Sequence, residues 1–143
     1  AYWLSVHRHE GDASNRRAIE QLKAQGYRLV ATSPHADGLT LSELVIDQPT
    51  ALLFGEEKPG LSAELLEAAD AHVRIPMVGF AESFNVSVSV ALCLHELLPK
   101  LRASAAPWRL SPGERERLAL AWARRTIQHV EAVEQRFAAQ RDV

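Results

Sequence analysis

The 143-residue sequence contains one cysteine, one methionine and few aromatic residues (6%). Cys93 has no thiol to pair with inside the chain, and no segment has the layout of a signal peptide, so a reduced, cytoplasmic setting is expected. Long hydrophobic runs are also missing. The least charged stretch, Ser83 to Leu94, is interrupted by serines and an asparagine and falls short of the ~20 apolar residues of a membrane helix, so no membrane association is expected. The formal net charge of −2 rules out a uniformly basic molecule; a nucleic-acid partner would have to meet a local basic surface. Metal-ligand patterns are absent: His95-Glu96 lacks the second histidine of H-E-x-x-H, no cysteine cluster exists, and His7 and His9 share one face of an expected edge strand. No metal site is predicted. The chain opens at Ala1 without methionine and runs directly into a strand-like segment, Tyr2–Val6, which reads as a truncated start.

What is present is a 47% hydrophobic, 24% charged chain, enough to bury a core without covalent staples. Strand-like Tyr2–Val6, a helix from Asn15 to Gln25 closed by Gly26, strand-like Tyr27–Thr32 and strand-like Ala51–Phe54 follow in turn. A helix from Ser62 to Ala69 then leads to a strand His72–Ile75 stopped by Pro76. Strand alternating with helix predicts an α/β fold with a parallel sheet flanked by helices. Ser83 to Leu98 is read as a helix with Ser83 or Asn85 as N-cap. Residues 103–107 read as a connector, which divides the chain into a domain over 1–102 and a C-terminal segment over 103–143. Ser111-Pro112-Gly113-Glu114 is a capping box. One long C-terminal helix is predicted after it, with Leu118, Trp122, Thr126, Val130, Val133 and Phe137 as an apolar stripe. Charge divides similarly: residues 1–99 carry 7 Lys/Arg against 13 Asp/Glu, and 100–143 carry 9 against 5.

Two loops carry the chemical interest. Gly55-Glu56-Glu57-Lys58-Pro59-Gly60-Leu61-Ser62 lies between a strand and a helix and approaches the phosphate-loop spacing. Leu61 stands where the lysine belongs, however, and two glutamates would sit inside an anion cradle, which excludes an NTPase. The second loop, Ile75 to Asn85, mixes apolar residues with a few polar ones, as a pocket for an adenosine-like ligand requires. Both leave strand ends, where α/β sheets bind small molecules. Cys93, in an apolar helix with no basic neighbour, reads as a buried small hydrophobe rather than a nucleophile.

Together, Leu52 through Ser62 and Ile75-Pro76-Met77 through Ser83-Phe84-Asn85-Val86-Ser87-Val88-Ser89-Val90-Ala91 resemble the second and third motifs of the SpoU/TrmH family, over roughly residues 1–100. The resemblance implies a SPOUT-class, S-adenosyl-L-methionine (AdoMet)-dependent RNA ribose 2′-O-methyltransferase, a C-terminal trefoil knot and a homodimer. It further implies that loops after Thr32, around Gly55 and from Ile75 to Phe84 hold AdoMet, with backbone groups of Ile75 and Met77 against the adenine. Glu57 corresponds to the acid of the second motif, and Ser83 and Asn85 to the polar pair of the third near the RNA. Phe84 replaces the more usual leucine. The first motif, with its asparagine and catalytic arginine, would precede Tyr2 and is absent; Asn15-Arg16-Arg17 falls on an outer helix instead. The 143 residues alone are therefore expected to bind cofactor without catalysing transfer.

The expected substrate is tRNA rather than rRNA, with Arg115, Arg117, Arg124 and Arg125 as the RNA-facing surface. The dimer is expected to use the helix beginning near Ser83 and part of the terminal helix, with Trp122 and Phe137 as anchors. The competing reading is a non-catalytic AdoMet-binding or RNA-binding dimerisation module of the same fold.

Overall fold

The computed structural model describes residues 4–34, 38–80 and 83–141. They form two compact units, His9–Trp108 and Ala1–Arg8 with Arg109–Val143. The larger unit is α/β: α1 (Ser14–Ala24), β1 (Arg28–Thr32), β2 (Leu39–Thr40), β3 (Thr50–Leu53), α2 (Ala63–Ala68), β4 (Ala71–Arg74) and α3 (Val86–Ala103). The strands make one sheet of order β2-β4-β1-β3, every pairing parallel. The last strand thus lies between the first and the second.

Central placement explains the composition of β1. Leu29, Val30 and Ala31 are fully buried, as a parallel strand covered on both faces demands. Alternation sends Val30 into one core with Val73, Leu41, Leu44, Ile46, Cys93 and Leu97 and turns Leu29 and Ala31 the other way, where α1 and α2 pack on each other and on β1. The chain returns from β2 at one edge to β3 at the other. It crosses the sheet with Leu41, Leu44 and Ile46 buried. Cys93 is buried with its thiol pKa raised by desolvation, consistent with the packing role expected of it.

The helix ends follow local chemistry. At the end of α1 the Gly26 N–H bonds to Lys23 O and the Tyr27 N–H to Leu22 O. Gly26 takes a φ of 78°, the left-handed closure that glycine accepts most easily. Ser62 caps α2 and Asn85 caps α3.

The structure corrects several expectations. The expected strand Tyr2–Val6 is not found where it can be judged: Tyr2 and Trp3 lie outside the described residues, and Leu4–Val6 is irregular and exposed. Apolar alternation without a neighbouring strand to pair with does not make a strand, and His7 and His9 consequently share no strand face. β2, only two residues long, carried no periodic signal. α3 runs through Pro99 to Ala103, beyond the expected end at Leu98.

In the smaller unit, the predicted single C-terminal helix is two: α4 (Pro112–Thr126) and α5 (Val130–Arg141). The capping box is present, with Ser111 accepting from the Glu114 N–H and Glu114 returning to the Ser111 N–H. The break has a local cause. Thr126 Oγ1 donates to the Trp122 and Ala123 carbonyls, β-branched Ile127 is extended, and His129 has a φ of 56°. The six-residue stripe is therefore divided between two helices. Arg124 meets Glu134 at 2.6 Å across the break.

Candidate functional site

Three segments leave the carboxyl ends of β1, β3 and β4 and enclose a cavity of about 480 Å³. Thr32 and Ser33 come from the first, Phe54, Gly55, Glu57 and Leu61 from the second, and Ile75, Met77, Ser83 and Phe84 from the third; Leu66 of α2 and Val86 and Ser89 of α3 complete the wall. All five expected cofactor residues, Thr32, Gly55, Ile75, Met77 and Phe84, line this one space. The volume lies within the ~300–1,000 Å³ of small-molecule sites, and apolar walls with a few polar groups match their usual composition.

Gly55 is required by close approach. A Cβ there would overlap the backbone of Gly60 and Leu61, while the Glu56 N–H reaches Gly60 O at 3.3 Å to close the loop. Gly60 takes a φ of 87° at the turn. Thr32 Oγ1 donates to Leu53 O at 2.8 Å. Its hydroxyl thereby ties two of the lining segments together and keeps only acceptor capacity for a ligand.

The three residues expected near the reacting group also converge. Asn85 Nδ2 donates to Glu57 Oε1 at 3.3 Å, and Asn85 Oδ1 accepts from the Ser87 N–H at 2.9 Å. One amide thus caps α3 and orients a carboxylate on the cavity wall. Glu57 and Ser83 themselves line the cavity.

Asn15-Arg16-Arg17 lies on α1 as expected, with Arg16 at 3.5 Å from Glu64 and Arg17 donating to the Glu10 and Asp12 carbonyls. The four arginines expected to face RNA are distributed around α4 and its end. At about 100° per residue, Arg115 projects nearly opposite to Arg117 and Arg124, so the four do not share one side of α4. Arg124 is paired with Glu134, and Arg125 donates to Leu4 O at 3.3 Å. Sequence reading did not single out Ser33, Leu66 and Ser89 as lining residues. Ser33 directly follows β1, while the contribution of Leu66 and Ser89 depends on which helices, α2 and α3, face the strand ends.

A family model described as the SpoU rRNA Methylase family matches residues 2–95. A tRNA (guanosine(18)-2′-O)-methyltransferase of Borreliella burgdorferi is 38% identical over 132 residues, 92% of this chain and 59% of that protein. The chain therefore spans under two thirds of that relative. Among solved structures, the A. aeolicus TrmH/SpoU tRNA modifying enzyme superposes with a TM-score of 0.65 at 28% identity, over 79% of this chain and 59% of that one. The SpoU methyltransferase AviRb from Streptomyces viridochromogenes, solved with the cofactor AdoMet, gives 0.55 at 30% identity over 66% of this chain and 36% of that one.

Proposed function

This chain belongs to the SpoU rRNA methylase family, and on that premise we propose that its cavity holds AdoMet for methyl transfer to a ribose 2′-hydroxyl of tRNA. The observation that carries this reading is the convergence of all three strand-end segments on one cavity, with the Glu57–Asn85 hydrogen bond on its wall. The names of the relatives favour tRNA over rRNA.

When bound, AdoMet supplies an electrophilic methyl group. Ile75, Met77, Phe54 and Leu66 offer apolar walls to an adenosine, and main-chain groups of the strand-end segments offer it hydrogen-bond partners. Glu57, held by Asn85, orients the acceptor nucleotide, since in-line transfer depends on alignment. The arginines of α1 are engaged with Glu64 and with main-chain carbonyls.

The family's trefoil knot is part of this reading, supported by the insertion of β4 between β1 and β2. So is a homodimer. Val88, Leu92, Leu94 and Leu98 of α3 are exposed, apolar surface on the outward half of the helix that suits a second copy. Among the described residues no helix is long and apolar enough to cross a membrane, and the single cysteine favours the cytoplasm.

Calorimetric titration with S-adenosylhomocysteine (AdoHcy) tests the site. Ser89→Trp, on a helix whose backbone tolerates the change, fills the cavity and weakens binding by about thirtyfold or more. Unchanged affinity in that variant would move the ligand elsewhere.

A further inference from the structure

The segment that crosses the sheet between β2 and β3 turns at Leu41–Leu44 and leaves three main-chain carbonyls pointing at one place. Lys100, near the end of α3, occupies it. Its Nζ donates to Leu41 O at 3.2 Å, to Ser42 O, and to Leu44 O at 3.4 Å, and lies 3.1 Å from Glu96 Oε1 one turn back along the helix. Among the described residues none of the three carbonyls accepts another main-chain loop hydrogen bond. Leaving the part-buried Leu41 and Leu44 carbonyls unpaired would be costly.

An ammonium suits this cage. It has three rotatable donors on a compact charge, whereas a guanidinium presents a planar fork. Glu96 balances the charge of a side chain that is only 29% exposed. Of the two elements joined here, α3 lines the cavity directly, and the crossing segment is tied to it through β2. β2 follows the segment that contributes Ser33 and Pro34, and α3 contributes Val86 and Ser89 from its first turn.

We propose that the Leu41, Ser42 and Leu44 carbonyls form an ammonium site whose resident cation is Lys100, and that this latch makes Lys100 a positioning residue for the cavity. The second half of the proposal rests on the cavity being the AdoMet site. The crossing segment and α3 are held in register by a charge, so the latch can be vacated and refilled.

The test uses Lys100→Ala and Lys100→Met in the full 143-residue chain. Amide hydrogen exchange at residues 41–46 rises about tenfold or more in both, and AdoHcy binds severalfold more weakly. Ethylammonium chloride at tens of millimolar restores both properties in Lys100→Ala. Tetramethylammonium chloride, which has no N–H to donate, restores neither. Should Lys100→Ala fail to fold, the dependence of refolding yield on ethylammonium against tetramethylammonium reads the same site. Parent-like exchange in Lys100→Met, or equal rescue by the two salts, overturns the ammonium site. An unchanged AdoHcy affinity alongside raised exchange overturns the positioning role. A parent chain that binds no AdoHcy overturns both the cavity assignment and the positioning role, and the exchange data still decide the ammonium site.

Discussion

The two compact units are built on different terms. The unit from His9 to Trp108 has its own core, with Leu29, Val30, Leu44, Val73 and Cys93 essentially inaccessible. In the other unit, no residue of α4 is buried, and Leu120, Ile127, Val133 and Phe137 are exposed. The first unit can therefore fix a ligand cavity by its own packing. The helices of the second hold their shape through end chemistry, the Ser111–Glu114 box and the Arg124–Glu134 pair. Rigidity and the proposed cofactor site go together, while the surface expected to face RNA lies on the element with least internal support.

The largest effect should separate the two units. Leu44→Ala leaves a cavity in a close-packed core and should cost about 2–5 kcal/mol by urea denaturation, whereas Leu120→Ala should stay within about 0.5 kcal/mol. Equal costs would erase the distinction. Gly55→Ala comes next. Its Cβ meets backbone that cannot yield cheaply, so AdoHcy affinity should fall by about tenfold or more with the sheet intact by circular dichroism.

A third, smaller effect concerns α4. Ser111→Ala should cost that helix about 1 kcal/mol, seen as faster amide exchange in its first turn. The pKa of Glu114 is lowered, first by the Ser111 hydroxyl and then by the Ser111 N–H. A depressed folded-state pKa contributes stability that is complete above the ordinary carboxylate value and is lost as pH falls through the lowered one. Acidification below the ordinary value of 4.5 should therefore unravel the start of α4 in the parent and have a smaller effect in Ser111→Ala, which keeps only the main-chain N–H bond to Glu114. Glu43, lowered by the Thr40 hydroxyl and N–H, gives the turn after β2 the same dependence on pH.

The smallest effect is expected from charge. Reversing Arg115 and Arg117 should flatten the salt dependence of tRNA binding by about 0.9 for each phosphate that is no longer neutralised. Arg124 and Arg125, already committed to Glu134 and Leu4, should contribute less. An unchanged slope after reversing all four would move the RNA surface off α4.

Legibility in the sequence followed the same division. The helix from Ser14, the buried run of β1, the stop at Pro76 and the capping box were readable, because each is written in residues adjacent along the chain. So were the two loops, since glycine and polar residues at strand ends state their purpose locally. The two-residue β2 was not, because its pairing with β4 is set by residues far away in sequence. The break at Ile127–His129 was hidden by a regular apolar spacing that continued across it. Lys100 was invisible for the same reason as β2: its partners lie 56 to 59 residues away, and a lysine near a helix end looks like any solvated charge.

Met77, the only methionine, offers a direct test of the cavity assignment. With its methyl group labelled with carbon-13, titration with AdoHcy should shift a single resonance in step with calorimetric binding and give cross-relaxation from that methyl to adenine protons. Saturable AdoHcy binding that leaves the Met77 methyl unmoved and without contact to the adenine would contradict the account.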